Sequence, residues 1–131
     1  MSRLKALRIH PLYVDLILRG RKNWEMRSTP RTWRGSVALV KIGSLEIVGV
    51  VDLVDVKGPL SEEERHASQD KHCVAPHHWL SPRMAKYKFA WVLHNPRALA
   101  EPVSFVHVNG TQSWFVLDEP TSARVRSALG C

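Results

Sequence analysis

The apolar residues of this chain fall mostly into short period-two runs, separated by glycine, proline and polar clusters. Leu4, Leu7 and Ile9 predict a first strand, with Arg3, Lys5 and Arg8 mostly on its wet side, and His10-Pro11 breaks it. Residues 11–20 (PLYVDLILRG) then switch to helical spacing. Proline is tolerated in a first turn, Leu12, Leu16 and Ile17 share a face, Arg19 suits the last turn and Gly20 is placed for a C-cap. Asn23 to Arg27 returns to period two, putting Trp24 and Met26 on one side and Glu25 and Arg27 on the other. Residues 28–35 read as loop. Strands are predicted over 36–42 and, after a Gly43-Ser44 turn, over 46–56, where Gly49 suggests a bend or bulge.

From Pro59 to Pro82 the pattern changes character. Ser61 followed by three glutamates reads as a helix start with a capping box to Glu64, and the histidine-rich stretch after it as loop or short helix. Two further strands are expected at 87–93 and 102–108, then an Asn109-Gly110 hairpin leading into a strand at 113–117. Five or six strands with an early and a mid-chain helix predict a small mixed α+β domain on a curled sheet or barrel. That domain is expected to span residues 1–118, leaving 119–131 as a frayed tail or short helix.

Composition narrows the partner. The chain has 131 residues, 44% hydrophobic and 24% charged, which suits one compact domain rather than a coiled coil or a disordered chain. The net charge is +7, and all of it lies early: residues 1–35 hold nine Lys and Arg against Asp15 and Glu25, whereas residues 36–131 hold ten charges of each sign. A fold that places the first quarter on one side has a positive face, and nucleic acid is the leading anionic partner. Two cysteines, Cys73 and Cys131, are too few for a disulfide scaffold. The N-terminus lacks the apolar run of a signal peptide and no stretch is long enough to span a bilayer, so a cytoplasmic protein without membrane contact is expected.

Gly20 to Arg27 (GRKNWEMR) concentrates the chemistry. A helix C-cap delivers Lys22 onto a strand carrying Glu25 and Arg27, which brings opposite charges together either as a structural ion network or as a site. Glu25 can accept hydrogen bonds from an exocyclic amine, Arg27 can hold a carbonyl or phosphate oxygen, and Lys22 can neutralise a phosphate or, with a lowered pKa, act as a base.

The same segment resembles the G-x-K-x-x-[ET]-x-R signature of ASCH domains in the PUA-like superfamily. The likeness runs on through Arg34-Gly35, Gly49, Tyr87 with Trp91 to Leu93, Glu101 to Val103, and Gly110 to Phe115, covering about residues 4 to 118. It implies a PUA-like β-barrel with flanking short helices and a cleft for RNA or a nucleobase, lined by the counterparts of Lys22, Glu25 and Arg27. Some short relatives are hydrolases that deacetylate acetylated cytidine with a lysine, a threonine and a glutamate. This chain keeps the lysine as Lys22 but has Glu25 at the threonine's place, which removes a hydroxyl nucleophile. Other relatives have been assigned ribonuclease activity.

On this reading the nucleic-acid-binding residues are Arg21, Lys22, Glu25, Arg27, Arg31, Trp33 and Arg34, with Lys22 and Glu25 as acid/base partners if the protein is an enzyme. The expected partner is RNA or a modified nucleoside or nucleotide. A module that docks an acidic protein is the third alternative. Trp33, flanked by Arg31 and Arg34, and Trp79 are the expected stacking residues, whereas Trp91, Trp114 and Phe115 read as core. His66, His72, Cys73, His77 and His78 have zinc-compatible types but not zinc-ligand spacing, and read as a loop of surface histidines. No P-loop, dinucleotide fingerprint or nucleophile elbow occurs, and no cofactor or metal is expected.

Overall fold

The computed structural model describes residues 3–106 and 112–130. Its strands are β1 (Lys5–Ile9), β2 (Trp24–Arg27), β3 (Gly35–Lys41), β4 (Glu46–Lys57), β5 (Phe89–Ser104) and β6 (Trp114–Val116). The helices are α1 (Pro11–Leu18), α2 (Glu62–Ala67), α3 (Gln69–His72), α4 (Pro82–Ala85) and α5 (Glu119–Ala128), with a 3-10 turn over Pro76–Leu80. The strands form one sheet in the order β2-β5-β4-β3-β1-β6. Only the β1–β3 pair is parallel among these, because α1 and β2 intervene between them as a crossover.

Both faces of the central strands are covered, which explains the unbroken apolar run at Val37 to Val40. Val14 and Ile17 of α1 pack with Leu7, Ile9, Leu39, Val51, Leu53 and Trp91 on one face. Val125 of α5 packs with Leu4, Ala6, Ala38, Val40 and Val50 on the other. Close approach of α1 to the sheet requires Gly49, where an added Cβ would lie 2.5 Å from Leu18 Cδ2 and 3.0 Å from the Arg97 carbonyl oxygen. The sheet curls into a half-barrel whose end strands meet: Arg27 of β2 reaches Ser113, beside β6, and the Arg8 carbonyl of β1. The α+β class and the curled six-stranded sheet are as expected.

Three expectations change. The strands expected at 87–93 and 102–108 are, in the described residues, one 16-residue strand, β5. Pro96 cannot donate to a ladder, and β5 accommodates it with a register shift against β4, where Val50 pairs with Arg97 but Asp52 with His94. Trp79 is buried rather than available for stacking, at 4% exposure, in a cluster with Trp24, Met26, Val74, Ala90 and Val92. His72, expected on a surface loop, is fully buried. Residues 119–128 form the short helix rather than a frayed tail, capped by the Asp118 side chain on the Thr121 amide. Asn109-Gly110 lies outside the described residues.

Candidate functional site at the sheet seam

β2 positions the charged residues by its pleat. Trp24 and Met26 face the 62–85 helical segment, so Glu25 and Arg27 turn to the other side, and the turn after α1 sends Lys22 to meet them. Glu25 is the middle member. Its Oε1 lies 3.5 Å from Lys22 Nζ and its Oε2 3.0 Å from Arg27 Nη2, with side-chain exposures of 0% for Lys22, 8% for Glu25 and 17% for Arg27. Lys22 also donates to the His72 carbonyl, and its ammonium lies 4.5 Å from the centre of the Tyr13 ring. Burial lowers the Lys22 pKa from its usual value, against the opposing pull of Glu25. Burial and the neighbouring Glu25 raise that of Tyr13.

Arg27 carries the network across the seam. Its Nη1 donates to Ser113 Oγ at 2.9 Å and its Nη2 to the Arg8 carbonyl at 3.0 Å, while its buried Nε has no partner among the described residues. Its guanidinium sits 5.7 Å from the Trp91 ring centre. Trp91 meets Trp114 edge-on at 5.4 Å, and Trp114 meets Trp33 at 5.5 Å. Arg31, exposed on the 28–34 loop, lies 5.2 Å from the Trp114 ring and 5.9 Å from Trp91, and Lys5 lies 6.0 Å from Trp33. Three indoles and three cations therefore share one end of the curled sheet.

The residues expected at the site divide in space. Lys22, Glu25 and Arg27 come together, and Arg27, Arg31 and Trp33 belong to the cation–indole cluster. Trp33 is half-buried there and its ring lies on Gly35, where a Cβ would fall 2.9 Å from Trp33 Cη2. Arg34 is exposed but folds back on its own loop, donating to the carbonyls of Arg31 at 2.6 Å and Trp33 at 2.9 Å. Arg21 is exposed at the turn after α1. Sequence reasoning placed Trp91 and Trp114 in the core; Trp91 is buried, but Trp114 is half-buried beside Arg31. It missed Ser113 and Tyr13. Ser113 next to Trp114 was the available signal for the first, but its contact with Arg27 spans 86 residues of chain.

The family model for the ASCH domain matches residues 7–103. The chain belongs to the ASCH domain family. A crystal structure of the ASCH protein from Zymomonas mobilis superimposes with a TM-score of 0.74 at 12% identity, over 94% of this chain and 93% of that one. A tyrosine-to-phenylalanine mutant of the same protein also gives 0.74 at 12%, over 96% and 98%. No curated protein matches the sequence. At that identity the likeness speaks for the fold, and the site of this ASCH domain rests on its own geometry. Among the described residues, no group of three or more His, Cys, Asp or Glu side chains gathers to hold a metal, and no helix is long and apolar enough to cross a membrane.

Proposed function

We propose that this ASCH domain binds single-stranded RNA across the seam of its half-barrel, in the setting of RNA processing or modification. The observation that supports this most is the approach of Arg31 to the Trp114 and Trp91 rings, at 5.2 and 5.9 Å, with Arg27 also within 5.7 Å of Trp91. A guanidinium lying over an indole loses little of its charge and keeps N–H donors for phosphate, while the neighbouring ring offers a face to a base. Arg34, on the same loop as Arg31 and Trp33, adds positive field, and the Lys22–Glu25 pair holds Arg27 in place from within. Lys22 itself is too deeply buried to meet a phosphate from outside, so its role in binding is positioning.

Fluorescence titration with a short single-stranded RNA at increasing salt tests the proposal. Three to four phosphate contacts predict a slope of log affinity on log salt of about −2 to −3. Trp33→Ala should cost about 1–3 kcal/mol of affinity per folded molecule. An affinity that ignores salt would overturn the proposal.

A second reading is an enzyme, a small hydrolase acting on modified nucleosides or a ribonuclease. The observation favouring it is the desolvated Lys22 with its lowered pKa, beside Glu25 and the Tyr13 ring. Burial that lowers a lysine's pKa shifts it toward the neutral form that a general base requires. This reading predicts product from acetylated cytidine or from a short RNA, abolished in Lys22→Ala. RNA that is bound but recovered intact would leave the binding reading alone.

A further inference from the structure

The 28–34 loop that carries Arg31 and Trp33 is tied to the sheet at both ends. At its start the buried Trp91 donates its indole N–H to the Thr29 carbonyl at 2.9 Å, and at its end Gly35 pairs with Leu53 as β3 begins. Pro30 restricts φ next to the first tie, and the Trp33 ring lies on Gly35 beside the second. Between these anchors the backbone has little to hold it. Among the described residues, only two hydrogen bonds reach the backbone of residues 30–34, and Arg34 donates both: Nη1 to the Arg31 carbonyl at 2.6 Å and to the Trp33 carbonyl at 2.9 Å. One nitrogen of a planar, rigid group bridging two carbonyls fixes the course of the chain from Arg31 to Arg34. That same stretch sets the side chains at the seam, with Arg31 5.2 Å from the Trp114 ring centre and Trp33 edge-on to Trp114.

We infer that Arg34 is a positioning residue of the RNA-binding loop, holding the backbone of Arg31 and Trp33 in the conformation that sets Arg31 on the indoles; the inference rests on the RNA-binding reading above. Arg34 is exposed, so these bonds contribute little to the fold and their effect falls on the loop. A loop ordered before RNA arrives has already lost the backbone freedom that binding would otherwise remove, and affinity rises accordingly. The competing role for Arg34 is a direct phosphate contact, since its Nε and Nη2 remain for other acceptors. Charge and shape separate the two roles. A phosphate contact needs the positive charge, which lysine keeps, whereas positioning needs the guanidinium itself, because a lysine ammonium ends about one bond short of Nη1 and lacks the planar fork.

Affinity for a seven-nucleotide oligouridine is titrated against salt for the wild type, Arg34→Lys, Arg34→Ala and Arg31→Ala, and for Arg34→Lys in the Arg31→Ala background, with a thermal melt of each protein. Positioning predicts that Arg34→Lys weakens binding by about five- to ten-fold, the net worth of about one hydrogen bond, with salt slope and melting temperature unchanged. In the Arg31→Ala background the same substitution should cost about two-fold or less, because the side chain it aims is gone. A phosphate contact predicts the reverse: Arg34→Lys binds as the wild type does, and Arg34→Ala lowers the slope by about 0.7. That result overturns the positioning role and leaves RNA binding standing. So does a loss undiminished in the Arg31→Ala background, or a lowered melting temperature with normal affinity per folded molecule. A wild type without affinity for the RNA overturns the RNA reading, and the positioning role with it.

Discussion

Glu25 is a single carboxylate between two buried or nearly buried cations, so removing its charge leaves Lys22 and Arg27 uncompensated in a place water hardly reaches. Glu25→Gln should therefore destabilise the fold by about 3–5 kcal/mol. Lys22→Met keeps the stem's volume and leaves Glu25 paired with Arg27. Its main loss is the donor to the His72 carbonyl, so about 1–3 kcal/mol is expected. Urea unfolding of the two variants checks this order, and equal stability of all three proteins would remove the buried network from the account. At this scale the sequence was informative, because period two in β2 and the glycine turn after α1 already bring Lys22, Glu25 and Arg27 together. What it could not convey is depth. A lysine next to a glutamate reads the same whether solvated or enclosed, and here the enclosure comes from Tyr13 and from a carbonyl 50 residues away.

Among the elements, the 62–85 segment depends most on one side chain. The Val74 amide donates to His72 Nδ1 and His72 Nε2 donates to the Arg65 carbonyl, so the ring must be neutral to serve both. Burial lowers its pKa below the usual 6.5, and the Lys22 charge adds to the effect; the Arg65 carbonyl and Asp70 oppose it. In the unfolded chain His72 takes up its proton near 6.5, before the folded protein does. Stability from this group is therefore complete above that pH and is lost as the pH falls below it toward the folded value. Thermal melts between pH 8 and 5 should show the decline, and His72→Gln should flatten it. Element boundaries were legible wherever a local signal marks them, as with the Ser61 capping box and the Gly43 turn. They were not where a long-range pairing overrides one. His94-Asn95-Pro96 looks like a strand break, but pairing with β4 on both sides carries β5 through it. Likewise the apolar residues of the 69–80 stretch lie in helical turns too short to show a period, which hid the burial of His72 and Trp79.

At the scale of the molecule, curling brings β2 and the start of β6 together and gathers cations separated in sequence around three indoles. The early charge excess and the family signature pointed to a positive face, but the seam itself depends on contacts between residues 27 and 113 and between 31 and 114, which no local pattern records. The simplest competing view is that +7 attracts RNA from any direction. Arg31→Ala and Arg83→Ala distinguish the two, since each removes one exposed positive charge but only Arg31 lies on the indoles. The decisive measurement is the salt dependence of RNA affinity for these variants beside the wild type. A local face predicts that Arg31→Ala weakens binding and reduces the slope by about 0.7, one phosphate's worth on a single strand, while Arg83→Ala matches the wild type. Equal losses in the two variants would contradict it.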